Sequence, residues 1–235
     1  MNKTVAAAPR DEGTESERRR ELVLTAGRLF CRHGYERTTV RELARAVGLQ
    51  SGSLFHHFRS KEEILVAVMN NGIQEVIDGG ERALAHYDAP ADRLAALFRV
   101  HMWSMLQGAG GDAMNALVYE WRSLSAPSQS AVKALSDHYE AMWQSVVAGA
   151  VDAGLIKGDA RVIKRCVLGA MNLTVQWYKP DGRLAPAAFI DAMLSASLPT
   201  LPEGAGAWPL EGDADASPTM PAPGGPTSPS PDAGA

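Results

Sequence analysis

The chain has 235 residues, 46% of them hydrophobic, and a formal net charge of −4; that length allows one or two domains with a core needing no disulfide or metal staple. The charge balance excludes a uniformly basic nucleic-acid coat, and no apolar run reaches the ~18–20 residues of a membrane-spanning helix. Cys31 and Cys166 are the only cysteines, too few for a disulfide framework or a zinc knuckle. The charge is also uneven. Ser16–Glu63 holds 10 Lys or Arg against 6 Asp or Glu, a net of +4, leaving 13 against 21, a net of −8, elsewhere. A basic front on an acidic remainder points to a polyanion-binding module joined to something else. Arg18, Arg19 and Arg20 follow small and polar residues rather than preceding an apolar core, so the chain lacks a signal-peptide layout. Its expected location is a reducing cytoplasm.

In chain order, residues 1–15 are small, polar and aperiodic and predict a flexible arm. Leu22, Ala26, Leu29 and Phe30 share one face of a first helix that ends at His33-Gly34, where glycine suits a left-handed cap. Thr39-Val40-Arg41-Glu42 has the pattern of a capping box opening a second helix on Leu43, Ala44 and Val47, ended by Gly48. A short third helix covers Ser51 to Phe58. Ser60-Lys61-Glu62-Glu63 opens a longer fourth helix through Ile64, Leu65, Val68 and Ile73. Further helical periodicity covers about 91–107, 112–124, 128–152, 159–178 and 186–198. Asp159 is placed to cap the fourth of these and Pro186 to start the fifth. From Leu201 the composition turns to Pro, Gly, Ala, Ser and Asp, which predicts a disordered tail over 201–235. Trp208 there either docks or stays in solvent. No set of alternating strands is present, so the fold class is all-α.

The stretch Thr39–Phe58 reads as a helix–turn–helix: a capped helix, Gly48-Leu49 as the turn, then a short helix rich in small and polar residues. The first helix must bury Leu43 and Val47 to hold the second at a fixed angle. The second must keep its outer face free of bulky apolar groups to enter a ~12 Å major groove. Gln50, Ser51, Gly52 and Ser53 supply short hydrogen-bonding groups at its N-terminus, where helix amides favour phosphate. Leu54 and Phe58 point back into the core. His56 and His57 are adjacent on a helix, about 100° apart, and cannot chelate a metal together; no metal is expected. Arg18–Arg20 have two readings, a solvated face or added phosphate attraction.

The run GYERTTVRELARAVGLQSGSLFHHFRSKEEIL resembles the N-terminal signature of the TetR family of bacterial transcriptional repressors over about residues 18–66. The resemblance implies an all-α homodimer with a three-helix DNA-binding head and a larger helical body that binds a small effector and forms the dimer. It divides the chain into the arm 1–15, a head at 16–62, a body at 63–200 and the tail 201–235. Gln50, Ser51, Ser53 and His57 then occupy recognition-helix contact positions, and Thr39, His56 and Lys61 positions that meet phosphate, with Arg41 and Gly52 completing the DNA-binding set. Gln50 departs from the family's usual Ser or Thr cap.

The body is rich in large soft residues, among them His101, Met102, Trp103, Met105, Met114, Tyr119, Trp121, Tyr139, Met142, Trp143, Trp177 and Tyr178. A plain helical core accounts for most. Glu120, Arg122, Asn172 and Gln176 add polar handles of the kind that small-molecule pockets place among apolar walls. Two stretches, Tyr119-Glu120-Trp121-Arg122-Ser123-Leu124 and Asn172 to Leu184, resemble a TetR subgroup that controls fatty-acid or steroid breakdown and responds to acyl-CoA thioesters. That resemblance implies an effector lined by Met102, Trp103, Trp121, Met142 and Trp177, with Arg122 or Lys179 on a phosphate or carboxylate. Arg122 paired with a helix carboxylate is the alternative. Val162, Cys166, Val167, Ala170 and Val175, then Phe189, Ala192, Met193 and Ala196, lie on helices where the family pattern places an isologous four-helix dimer contact.

The function that emerges is a ligand-responsive repressor that leaves operator DNA on binding a hydrophobic effector, with no resident cofactor and no membrane partner. Two rivals stand beside it: a helical thioester-binding enzyme built from Glu120, His101, Ser104 or Cys166, and a helical adaptor that does not bind DNA. No nucleophile elbow, phosphate loop or metal spacing supports the enzyme.

Overall fold

The computed structural model describes residues 12–106, 108–179 and 181–206, with the backbone alone for 12–15 and 108–110. Among these residues there is no strand. Nine α-helices run in order among the described residues: α1 Glu12–His33, α2 Val40–Ala46, α3 Ser51–His57, α4 Lys61–Ala85, α5 Pro90–Leu106, α6 Gly108–Glu120, α7 Ala126–Asp152, α8 Ala160–Asn172 and α9 Pro186–Ser197. Two 3-10 turns, Trp121–Ser123 and Leu173–Gln176, follow α6 and α8. The all-α expectation holds.

Two compact units share the chain. Of the described residues, those up to Asp78 together with Ser104–Met142 form the first, and Gly79–Trp103 with those from Trp143 to Gly206 form the second. In the first, α1 packs on α6 and on α2, and α2 on α3. Leu22, Ala26 and Phe30 of α1 and Ile64, Leu65, Val68 and Ile73 of α4 are buried, as the 3.6-residue period requires. In the second, α5 buries Leu94, Leu97, Phe98 and Met102, α7 buries Trp143 and Val147, and α9 buries Ile190.

Helix ends follow local chemistry. Gly34 and Gly48 end α1 and α2 at φ +80° and +70°. Asp159 caps α8 by accepting from the N–H groups of Arg161 and Val162 at 2.8 and 3.1 Å, and Pro186 starts α9.

Three expectations need correction. The arm assigned to 1–15 gives up its last residues, because α1 already begins at Glu12; residues 1–11 lie outside the described part. The helix expected over 159–178 stops at Asn172. There the Thr174 hydroxyl donates back to Ala170 O at 3.2 Å, and Trp177 and Tyr178 N–H both turn to Thr174 O, a side-chain competition that tightens and ends helices.

The third correction is the start of the tail. Residues 201–206 form an ordered strap in which Ala205 and Gly206 are buried. The guanidinium of Arg99, itself buried, donates to Ala205 O and Gly206 O and pairs with Asp191 at 3.1 Å. Composition missed this because the tie is made by backbone carbonyls, which carry no residue signature. Residues 207–235, Trp208 included, lie outside the described part.

Candidate nucleic-acid interface

The α2–α3 pair is built from its caps upward. Thr39 Oγ1 accepts the Glu42 N–H at 3.2 Å, while the Glu42 carboxylate accepts Thr39 N–H at 2.8 Å and the Thr39 hydroxyl at 2.9 Å. The capping box is therefore complete. These bonds, first the Thr39 N–H and then its hydroxyl, hold the Glu42 carboxyl below its ordinary pKa. Leu43 and Ala44 are the buried residues of α2; Val47, expected beside Leu43, is only half-buried at the helix end. Leu54 and Phe58 are buried at the inner side of α3, so the rest of that short helix faces outward.

Gln50 is the N-cap of α3 and makes no side-chain cap hydrogen bond. Its departure from Ser or Thr thus leaves an exposed amide beside the α3 N-terminus. Arg41, Gly52 and His56 are exposed, and Ser51, Ser53 and His57 are half-buried. Lys61 is more committed than the sequence foretold: its Nζ donates to Tyr35 O at 2.9 Å and lies 4.1 Å from the Tyr35 ring centroid. An ammonium has three donors, so a phosphate contact is compatible with both. Arg19 lies with its guanidinium 4.4 Å from the centroid of the Phe58 ring, which brings one of the three N-terminal arginines to the end of α3.

Phe55 escaped the sequence reading. It is 51% exposed on α3, an apolar ring among polar neighbours and one turn beyond Ser51. The signal was available, because burying Leu54 and Phe58 at i, i+4 forces residue 55 about 100° away from the core.

Of the effector residues, Met102 and Trp103 are buried in the second unit. Trp177, in the same unit, is 54% exposed and meets Phe189 edge-on at 5.4 Å. In the first unit, Trp121 and Met142 are half-buried and Arg122 is exposed on the 3-10 turn after α6. Beside Met102, His101 is fully buried, and desolvation lowers its pKa to about 4. It is neutral at pH 7, with Nε2–H donating to Asn172 Oδ1 at 3.1 Å in the tautomer that pairing requires. Glu120, grouped with the effector's polar handles and with the rival enzyme, instead accepts the Tyr35 N–H at 3.0 Å and the Ser123 hydroxyl at 3.0 Å. Among the described residues no group of three or more His, Cys, Asp or Glu is arranged to hold a metal ion, and no helix is long and apolar enough to cross a membrane.

The family models agree with this geometry. Residues 22–68 match the model described as bacterial regulatory proteins, tetR family, and residues 87–201 match the tetracyclin repressor-like C-terminal domain. The chain belongs to the TetR family. Its α2–α3 pair is the helix–turn–helix of a transcriptional regulator. A curated relative, the HTH-type transcriptional repressor KstR2 of Mycolicibacterium smegmatis, is 28% identical over 183 residues, covering 76% of this chain and 87% of the relative. Among solved structures, AibR in complex with isovaleryl coenzyme A and operator DNA is 28% identical with a TM-score of 0.72, covering 77% of this chain and 98% of that one. The superantigen PfiT is 44% identical with a TM-score of 0.64, covering 75% and 94%.

Proposed function

We propose that this TetR-family regulator is a cytoplasmic, non-enzymatic repressor that binds operator DNA as a homodimer and releases it on binding a CoA thioester. The observation that carries the DNA-binding part is the α2–α3 pair. Its inner side is closed by Leu43, Ala44, Leu54 and Phe58, while Gln50, Ser51, Gly52, Ser53, Phe55, His56 and His57 remain on the other faces of α3. Thr39, Arg41, His56 and Lys61 flank it as phosphate contacts, and Gln50, Ser51, Ser53 and His57 read base edges.

The dimer is supported by α8 and α9. Val162, Cys166, Gly169, Ala170 and Leu173 fall at helical spacing and are all exposed, as are Ala188, Ala192 and Ala196 of α9. Small and apolar residues exposed in periodic rows are what an isologous interface covers. The effector class is supported by the likeness to AibR, which was solved with isovaleryl coenzyme A and operator DNA. Soft residues within each unit support it too, Met102, Trp103 and Trp177 in the second and Trp121 and Met142 in the first, where Arg122 is the cation for a CoA phosphate or carboxylate.

Selection of duplexes from a random pool by the purified protein tests the DNA reading. The expected product is a pseudo-palindrome with half-sites about one helical turn apart, ~34–36 Å or somewhat more, whose affinity falls steeply with salt. Enrichment of no sequence, with no salt-dependent binding, would leave the enzyme or adaptor reading in its place.

A further inference from the structure

Two carboxylates tie the segments on either side of the helix–turn–helix to the elbow between α6 and α7. Glu120, the last residue of α6, uses both oxygens: Oε1 accepts the N–H of Tyr35 and Oε2 accepts the hydroxyl of Ser123 inside the elbow. Glu62, in the first turn of α4, reaches the other end of the elbow, where Oε1 accepts the N–H of Ser125 at 2.7 Å. Hydrogen bonds from the side chain of Ser125, from Ser128 and from the Ser125 amide lower the Glu62 pKa, so that tie is charge-assisted at neutral pH.

Tyr35 converts the Glu120 contact into a position for the DNA-reading helices. Its ring is buried against Phe30 at 5.4 Å, and its carbonyl takes the Lys61 ammonium. Thr38, fully buried, donates its N–H to Gly34 O and Tyr35 O and its hydroxyl to Gly34 O at 2.8 Å. The turn from Gly34 to Thr38 is therefore cross-braced, and the next residue, Thr39, is the N-cap of α2. A displacement of the Tyr35 amide has little slack to absorb it before it reaches α2 and, through the α2–α3 packing, α3.

We infer that Glu120 is a positioning residue for operator recognition, with Glu62 as its second tie, and that movement of the elbow releases both carboxylates and shifts the helix–turn–helix. The inference rests on the DNA-binding reading above and supplies its regulation, because the elbow residues Trp121 and Arg122 are the ones assigned to the effector.

The test compares Glu120→Ala, Glu120→Gln and Glu62→Ala with the wild type on the duplex that the wild type selects. Fluorescence anisotropy gives affinity, and hydrogen exchange of peptides covering 34–57 reads the head directly. Glu120→Ala should lower affinity about tenfold and raise exchange across α2. Glu120→Gln keeps an acceptor oxygen and should stay within threefold. Glu62→Ala should lose severalfold and be less than additive with Glu120→Ala, since both grip one elbow. A Glu120→Ala protein that binds within twofold of wild type with unchanged exchange overturns the inference, as does a Gln variant as weak as the Ala variant. Should Glu120→Ala fail to fold, Glu62→Ala decides: full affinity and unaltered exchange overturn the tie. If the wild type selects no duplex, the regulator reading and this inference fall together, an outcome distinct from a wild type that binds and variants that do not differ.

Discussion

The backbone N–H of Gly206 donates to Asp92 Oδ1 at 2.7 Å across 114 residues of chain. Gly206 has φ +55°, and a Cβ built there would lie 2.5 Å from Asp92 O and 2.6 Å from Ala96 N. Both are backbone atoms of α5 and have little room to retreat. Gly206→Ala should therefore combine left-handed strain with a clash and lose about 3 kcal/mol. Gly204, at φ +76° with nothing within 4 Å of a built Cβ, isolates the strain alone, and Gly204→Ala should lose only about 1 kcal/mol. Thermal midpoints separated by several degrees between the two variants are expected at ~2–4 °C per kcal/mol. Equal midpoints would mean that the strap contributes nothing to the second unit.

The Gln50 position separates stability from reading. A serine there would cap α3 and add about 1 kcal/mol, raising the thermal midpoint by ~2–4 °C, while removing an amide able to pair with base edges. Gln50→Ser should be more stable and less discriminating between operator and mismatched duplexes. Ser53→Glu is the harsher control: it sets a carboxylate against bases and phosphates and should abolish specific binding in a folded protein. Normal operator binding by Ser53→Glu would remove α3 as the reader.

What could be read from residue order had partners close by in the chain. The Thr39–Glu42 box spans three residues, and the Leu54–Phe58 pair spans four, so helix geometry alone places them. The Tyr35–Glu120 bond spans 85 residues and the Arg99–Ala205 bond 106. Each joins a charged side chain to a backbone group that any residue could have supplied. That is why Glu120 looked like a pocket residue and 201–206 like free tail. Trp177 shows the same limit: the helical periodicity expected over 159–178 takes it in, but the helix breaks after Asn172 and the residue is more than half exposed.

His101 makes stability depend on pH in a defined direction. Burial lowers its folded pKa to about 4 from an ordinary 6.5. Its contribution is therefore complete above pH 6.5 and is lost as the pH falls toward 4, because the unfolded chain takes up the proton first. By pH 5 the loss should reach about 2 kcal/mol. His101→Gln keeps a donor for Asn172 but cannot titrate. Urea unfolding at pH 7.5 and pH 5 should show the wild type losing about 2 kcal/mol more than the variant. Identical losses would mean that His101 is protonated, or reachable by water, in the folded state.

Ala170 and Ala192 are exposed on α8 and α9, and the proposed dimer covers both. Arginine at either site would bury an unpaired charge there, a cost of several kcal/mol. Ala170→Arg and Ala192→Arg should give monomers or aggregates by light scattering, with operator affinity falling as the two half-sites uncouple. An arginine that stays in solvent would cost the folded chain little, so a dimeric mass for both variants moves the interface elsewhere.

The effector prediction turns on Arg122, exposed on the elbow and thus replaceable without opening a core. A thioester can release DNA only by binding the released state better, and DNA must then weaken thioester binding by the same factor. Isovaleryl, long-chain and steroid-ring CoA esters should be titrated against the protein with and without its selected duplex. At ~100 times its dissociation constant, an effector should stabilise the protein by about 2.7 kcal/mol in a thermal-shift measurement. Arg122→Ala should weaken that ester about tenfold, or ~1.4 kcal/mol, while operator affinity without ester stays near wild type, since Arg122 touches no part of α2 or α3 in the bonds described. Trp103→Ala, in contrast, removes a buried side chain and should cost about 3–5 kcal/mol of stability, so it reports on ligand only in a form still folded. If every ester leaves both the thermal midpoint and DNA binding unchanged, the effector belongs to another class. The helix–turn–helix would still read DNA after that result, because Thr39, Leu54 and Phe58 owe nothing to the effector.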